Sequence, residues 1–152
     1  METLIGNVEV KTRSVHFYVH RNKDFVRVNW DVDFQNEELN LGRVLNLTTG
    51  QFTAPVGGIY HFEFSGLNTG DDSVNNIGVY LKVNRLASGK PSHVASTSMG
   101  NVSASGSITA SLRLKSKDQV YLATHGRGKL FDNYWGRHTQ FVGWLVEEDL
   151  AL

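Results

Sequence analysis

Between Val26 and Phe34 every second residue is apolar: Val26, Val28, Trp30, Val32 and Phe34 alternate with Arg27, Asn29, Asp31 and Asp33. A period of two gives an extended chain one apolar face, whereas a helix would scatter the same residues around its circumference. The segment is expected to be a half-buried strand or a bent strand pair. The pattern recurs in Val15-Phe17-Val19, Tyr60-Phe62-Phe64, Val79-Leu81-Val83, Ile108-Ala110-Leu112-Leu114 and Val120-Leu122. Turn formers separate these runs, at Thr49-Gly50, Pro55 with Gly57-Gly58, Thr69 to Asp72, Ser88 to Pro91 and Ser116 to Asp118.

Only Glu37 to Leu45 allows a helical turn, and Gly42 weakens it. Parallel strands need long crossovers that this chain does not supply, so an antiparallel β-sandwich is expected. Ala95 to Gly106, rich in Ser, Gly and Asn, fits an edge strand and loop. The 152 residues fit one domain, residues 1–152 with its core at about 12–147.

Composition excludes several functions. Fifteen basic residues balance fifteen acidic ones, so a general nucleic-acid binder or an anionic-membrane binder is not expected, and no apolar run could span a bilayer. The balance is an average over patches: acids collect at Asp31 to Glu38, Asp71-Asp72 and Glu147 to Asp149, whereas Arg127 to Arg137 carries three basic residues against Asp132 alone. With no cysteine there is no disulfide, thiolate nucleophile or Cys-based zinc site. The first residues, Met1 to Gly6, show no basic stretch followed by an apolar one, the mark of a secretory signal.

Motifs for chemistry are absent. The six histidines form no His-Glu-x-x-His pattern, and His16 and His20 read as a solvent-facing pair on one strand face. There is no Gly-x-Ser-x-Gly elbow and no phosphate loop, and Gly126-Arg127-Gly128 fails as a dinucleotide fingerprint because Phe131 stands at the third glycine. No catalytic residue is identified. Asp71-Asp72, with Asn68, Asn75 and Asn76, could offer oxygens to calcium, although an ordinary loop accounts for them better. Asn46-Leu47-Thr48 and Asn101-Val102-Ser103 are glycosylation triplets.

Two features remain. In Phe141-Val142-Gly143-Trp144-Leu145-Val146 both alternating sets are apolar, which fits a strand covered on one side by the core and on the other by a second subunit or a loop of its own chain. From His125 to His138, Arg127, Lys129, Arg137 and His138 stand among Phe131, Tyr134 and Trp135. Rigid rings and guanidinium groups suit a recognition surface, and the same rings could instead cap the sandwich. Both readings stay open on sequence alone.

Asn46 to Phe64 reads Asn-Leu-Thr-Thr-Gly-Gln-Phe-Thr-Ala-Pro-Val-Gly-Gly-Ile-Tyr-His-Phe-Glu-Phe, which resembles the Thr-Gly-x-Phe, Pro, Gly-x-Tyr-x-Phe signature of the complement C1q globular-head family, within the C1q and tumour necrosis factor superfamily. Val15-His16-Phe17, Val79-x-Leu81-x-Val83-Asn84, Leu112-x-Leu114, Asp118-x-Val120-x-Leu122 and Thr139 to Val146 extend the resemblance over residues 12–147. It implies an all-β fold, a ten-stranded jelly roll assembling as a homotrimer, with Tyr18, Val142, Trp144 and Val146 at the trimer interface. It further implies a secreted, non-enzymatic module that binds carbohydrate, bacterial-surface or other anionic ligands through loops, here Asp71, Asp72, Arg127, Lys129, Tyr134, Trp135, Arg137 and His138. A signalling ligand or assembly domain with one protein partner is the alternative, and a cytoplasmic scaffold is compatible with the absent leader. No cofactor is expected. Some members bind calcium through Asp residues in a stretch that corresponds to Ala95 to Ser107, which here holds neither Asp nor Glu.

Overall fold

The computed structural model describes residues 2–5, 8–11, 13–27, 29–69, 76–100 and 104–150. Among the described residues, strands β1 (Glu2–Ile5) and β2 (Val8–Lys11) pair with each other and with no other strand. Ten more build the sandwich: β3 (His16–His20), β4 (Asn36–Leu41), β5 (Leu45–Asn46), β6 (Gln51–Thr53), β7 (Gly58–Asn68), β8 (Asn76–Asn84), β9 (Pro91–Met99), β10 (Ala104–Leu114), β11 (Gln119–Arg127) and β12 (Gln140–Glu148). One five-stranded sheet has the order β10-β7-β12-β3-β4, the other β5-β6-β11-β8-β9. Every pairing is antiparallel.

Alternation along the strands fills the space between the sheets. Phe17, Tyr60, Phe62, Phe64 and Phe141 from the first sheet meet Phe52, Ile77, Val79, Leu81, Val120 and Leu122 from the second, all buried. The rings interlock: Phe17 lies 4.9 Å from Phe141 edge-on, and Phe52 lies 5.3 Å from Phe62. Burying each such ring contributes about 1.5–3 kcal/mol, and these rings come from strands far apart in sequence. Gly143 leaves the gap that Phe17 and Phe62 fill, since a Cβ there would stand 2.5 Å from the Phe17 ring and 2.8 Å from that of Phe62.

The structure corrects two expectations. Val26–Phe34 is not a strand or a strand pair. Its described residues form no ladder with β11 beyond the Asp31–Ala123 bridge, with Val32 N–H donating to Leu122 O and Thr124 N–H to Trp30 O. Asn29 takes a left-handed φ of 55°, which interrupts the extended chain. Val32 and Phe34 point into the core, whereas Val26 and Trp30 are exposed. The helical turn allowed at Glu37 to Leu45 does not form: Asn36–Leu41 is edge strand β4, paired to β3, with Gly42 at φ 83° turning the chain.

Candidate functional site

Two loops pack together where β3 ends and β12 begins. Phe25 and Leu130 exchange backbone hydrogen bonds of 2.8 and 3.0 Å, and Arg21 N–H donates to Thr139 O at 3.0 Å. The buried Arg21 guanidinium ties the first loop down, donating to the carbonyls of Lys23, Asp24 and Asp33 and, at 2.5 Å, to Asp33 Oδ1. Burial lowers its pKa and Asp33 opposes that shift; a guanidinium stays charged regardless. Asp24 joins the loops, accepting from Lys129 Nζ and from Asp132 N–H. Asp132, also buried, accepts from the N–H groups of Asn133 and Thr139 and so closes the second loop on itself.

That scaffold presents Tyr134 and Trp135 to solvent, 71% and 86% exposed, their rings edge-to-face at 4.7 Å. They do not cap the core. Asn133 Oδ1 accepts from Trp135 N–H and holds the turn. Of the other residues expected here, Arg127 ends β11 and is exposed, and Lys129 is paired with Asp24 at 3.1 Å. Arg137 is paired with Glu38 Oε1 at 3.0 Å, and His138 packs on Phe131 at 5.5 Å. The structure thus brings Lys129, Tyr134, Trp135, Arg137 and His138 into one loop, with two of its cations already bound to carboxylates. Asp71 and Asp72 lie outside the described residues, as do Asn75 and the triplet from Asn101.

His20 is not a solvent-facing partner of His16. It is buried and donates through Nε2 to Glu38 Oε1 at 3.0 Å. That hydrogen bond, followed by the field of Arg137, holds the Glu38 carboxyl below its ordinary pKa. His16 is half-buried against Trp144.

The outer face of the β10-β7-β12-β3-β4 sheet carries the other expected residues. Register places Tyr18 opposite Val142, which lies opposite Glu63, and places His16 opposite Trp144, which lies opposite His61. The Trp144 indole lies between the two imidazoles, at 5.7 and 4.6 Å. His61 in turn bonds Ser111 Oγ and Glu63 Oε1. Val146 is 55% exposed and Leu41 45%, and with His16 and Trp144 they line a groove of about 460 Å³. Tyr18, Val142, Trp144 and Val146 therefore share one surface.

Sequence reasoning missed a cleft of about 670 Å³ bordered by the first loop and the turn before β6. Trp30, 56% exposed, stands at it with the Arg27 guanidinium 5.0 Å from its ring centre. Asp31 and Asp33 line it together. Burial raises the pKa of Asp31, opposed by Lys82. Trp30 stands in solvent although Val32 and Phe34, two and four residues further on, are buried; the polar Asn29, left-handed and just before it, is the available signal of a break in the strand. Among the described residues no group of three His, Asp or Glu side chains is placed to hold a metal ion.

The profile of the C1q domain family matches residues 16–146. Complement C1q tumor necrosis factor-related protein 3 of Homo sapiens is 33% identical over 124 residues, covering 82% of this chain and 48% of that protein. The Mus musculus protein of the same name is 32% identical over 124 residues, with the same coverage. The chain spans about half the length of these curated relatives. Among solved structures, the globular domain of zebrafish complement 1qA protein superposes with a TM-score of 0.70 at 21% identity, covering 89% of this chain and 99% of that one. The Eiger TNF of S. frugiperda superposes with 0.74 at 14% identity, covering 92% and 97%, and so shares the fold. Because the profile runs from the first residue of β3 to within two residues of the end of β12, the whole sandwich included, the chain belongs to the C1q domain family.

Proposed function

We propose that this chain is a one-domain, non-enzymatic recognition module that assembles as a homotrimer in the extracellular space. Its self-association surface is the outer face of the β10-β7-β12-β3-β4 sheet, through Tyr18, Val142, Trp144 and Val146. Its ligand surface is the loop carrying Arg127, Lys129, Tyr134, Trp135, Arg137 and His138, with Asp71 and Asp72 as further ligand contacts and no cofactor. The observation that carries this reading is that the turn bearing Tyr134 and Trp135 is held by the Asp132 and Asn133 hydrogen bonds while both rings stand largely in water. Exposed rings on a turn whose backbone is already held cost less ordering on binding and supply hot-spot contact area. Three copies on one body multiply weak contacts on a repetitive surface such as a glycan coat.

A protein receptor is the second reading, favoured by the same edge-to-face pair, since Tyr and Trp are the residues that dominate protein interfaces. Light scattering of the purified chain, followed by binding to arrayed glycans and bacterial surface polymers, tests the first reading. It predicts a trimer and array binding that Trp135→Ala weakens. A stable monomer at micromolar concentration contradicts the assembly, and a trimer silent across the array shifts the assignment to a protein partner.

A further inference from the structure

We propose that the Trp30 cleft is a second ligand site and that it takes a neutral saccharide. The proposal deepens the recognition reading and depends on it, but uses residues separate from the Tyr134 loop. The cleft, about 670 Å³, is large enough for one or two sugar rings. A pyranose has a patch of C–H groups that packs on the electron-rich face of an indole, and Trp30 offers such a face while Arg27 steadies the ring. Around the sugar's edge are hydroxyls that both donate and accept. The cleft meets them with the Asp31 and Asp33 carboxylates, the Thr48 and Thr49 hydroxyls and the Gln51 amide. Thr49 Oγ1 already accepts from Gln51 N–H at 3.2 Å, which leaves its hydroxyl hydrogen to donate.

Charge selects for neutrality. The lining carries Arg21, Lys23 and Arg27 against Asp24, Asp31 and Asp33, so its formal charges cancel and no charged ligand is favoured; Arg21 is moreover committed to Asp33 and to three backbone carbonyls, and Arg27 lies over Trp30. An apolar ligand would strip water from the Asp31 carboxylate and put nothing in its place, which opposes binding. The walls are also fixed in advance. Arg21 anchors one end of the loop, and Thr124 Oγ1 donates to Arg27 O at 2.7 Å on the other, so little ordering remains to oppose binding.

The test is an array of neutral, sulfated and phosphorylated saccharides probed with the wild-type chain, Trp30→Ala, Trp30→Phe and Trp135→Ala, with the strongest neutral saccharide then titrated calorimetrically. Because Trp30 is exposed, melting temperatures of the variants are expected to match wild type. The expected result is neutral-saccharide binding that falls at least tenfold in Trp30→Ala, falls less in Trp30→Phe, and changes less than twofold in Trp135→Ala. No neutral binding, binding confined to sulfated or phosphorylated saccharides, or neutral binding lost only in Trp135→Ala overturns the proposal. The last outcome leaves the recognition reading standing and removes only the cleft, whereas a chain that binds nothing on the array counts against both.

Discussion

The Trp144 indole and the His61 imidazole lie 4.6 Å apart, directly opposite each other in register, on the outer face of the sheet whose inner face builds the core. Their position separates assembly from folding. Neither ring belongs to the Phe17, Phe62 and Phe141 cluster, so the face can be changed while the sandwich persists. Trp144→Glu places a charge in the proposed interface, where burying it unpaired costs several kcal/mol. Light scattering is expected to show a monomer of about 16.9 kDa with an unchanged far-ultraviolet spectrum. A variant that stays trimeric would place the interface elsewhere.

Gly143, next in the same strand, has the opposite role. A Cβ there stands 2.5 and 2.8 Å from two Phe17 ring atoms, and both rings it would meet are fully packed. Gly143→Ala is expected to cost about 1–3 kcal/mol through overpacking, read as a lower urea midpoint at an unchanged slope. Trp144→Glu in its monomeric form provides the comparison, since only Gly143→Ala alters the interior.

A pH effect follows from His125 on the outer face of the second sheet. Its ring covers Gly78 and stacks on Tyr80 at 4.1 Å, with His93 on Tyr80 at 3.9 Å. Burial, and then repulsion from His93, lowers the His125 pKa from its ordinary value of roughly 6.5. The unfolded chain therefore binds this proton more readily than the folded one. Stability is expected to fall as pH drops below about 6.5 and to level off once the folded-state pKa is passed. His125→Phe keeps the ring over Gly78 and removes the titration. Urea unfolding at several pH values down to mildly acidic conditions should give a shallower decline for the variant; equal slopes would refute the assignment.

The strands were legible in the sequence because Tyr60-Phe62-Phe64 or Val79-Leu81-Val83 could not cover one face of anything else. Residue type recorded the alternation faithfully wherever the backbone stayed extended. At Val26 to Phe34 it did not: the backbone is broken at the left-handed Asn29, and Val26 and Trp30 stand in solvent while Val32 and Phe34 enter the core. No apolar pattern encodes that change of side. The same limit hid His20, whose burial depends on Glu38 of a neighbouring strand. Tyr134 and Trp135 were visible as residues but not as exposed ones, since their exposure follows from Asp132 and Asn133 turning the chain outward.

Arg21 holds the candidate site together, and its removal is expected to reach further than its own contacts. Arg21→Ala leaves the Lys23, Asp24 and Asp33 carbonyls without their donor and the Asp33 carboxylate without its cation. Losses of this kind amount to about 3 kcal/mol. Loosening should show locally first, as faster tryptic cleavage after Lys23 and Arg27 in the native protein. Unchanged cleavage would mean that the Phe25–Leu130, Asp24 and Thr124 contacts fix the loop without Arg21.

Tyr134 and Trp135 give the complementary case, in which function is expected to change and stability is not. Both rings already face water, so truncating them removes little buried area and should leave the melting temperature unchanged. Binding should respond differently, because anchors of this kind contribute about 2 kcal/mol or more each when an interface closes over them, a loss of roughly thirtyfold in affinity per ring. Asp132→Ala separates the rings from their support: it keeps both side chains but removes the acceptor that Asn133 and Thr139 share. The three variants are to be compared against one glycan array and one set of candidate receptor ectodomains. Equal weakening in all three would show that the fixed geometry of the pair is what the ligand reads. Weakening in Trp135→Ala alone would reduce the site to a single ring, and full retention in all three would move the ligand surface away from this loop.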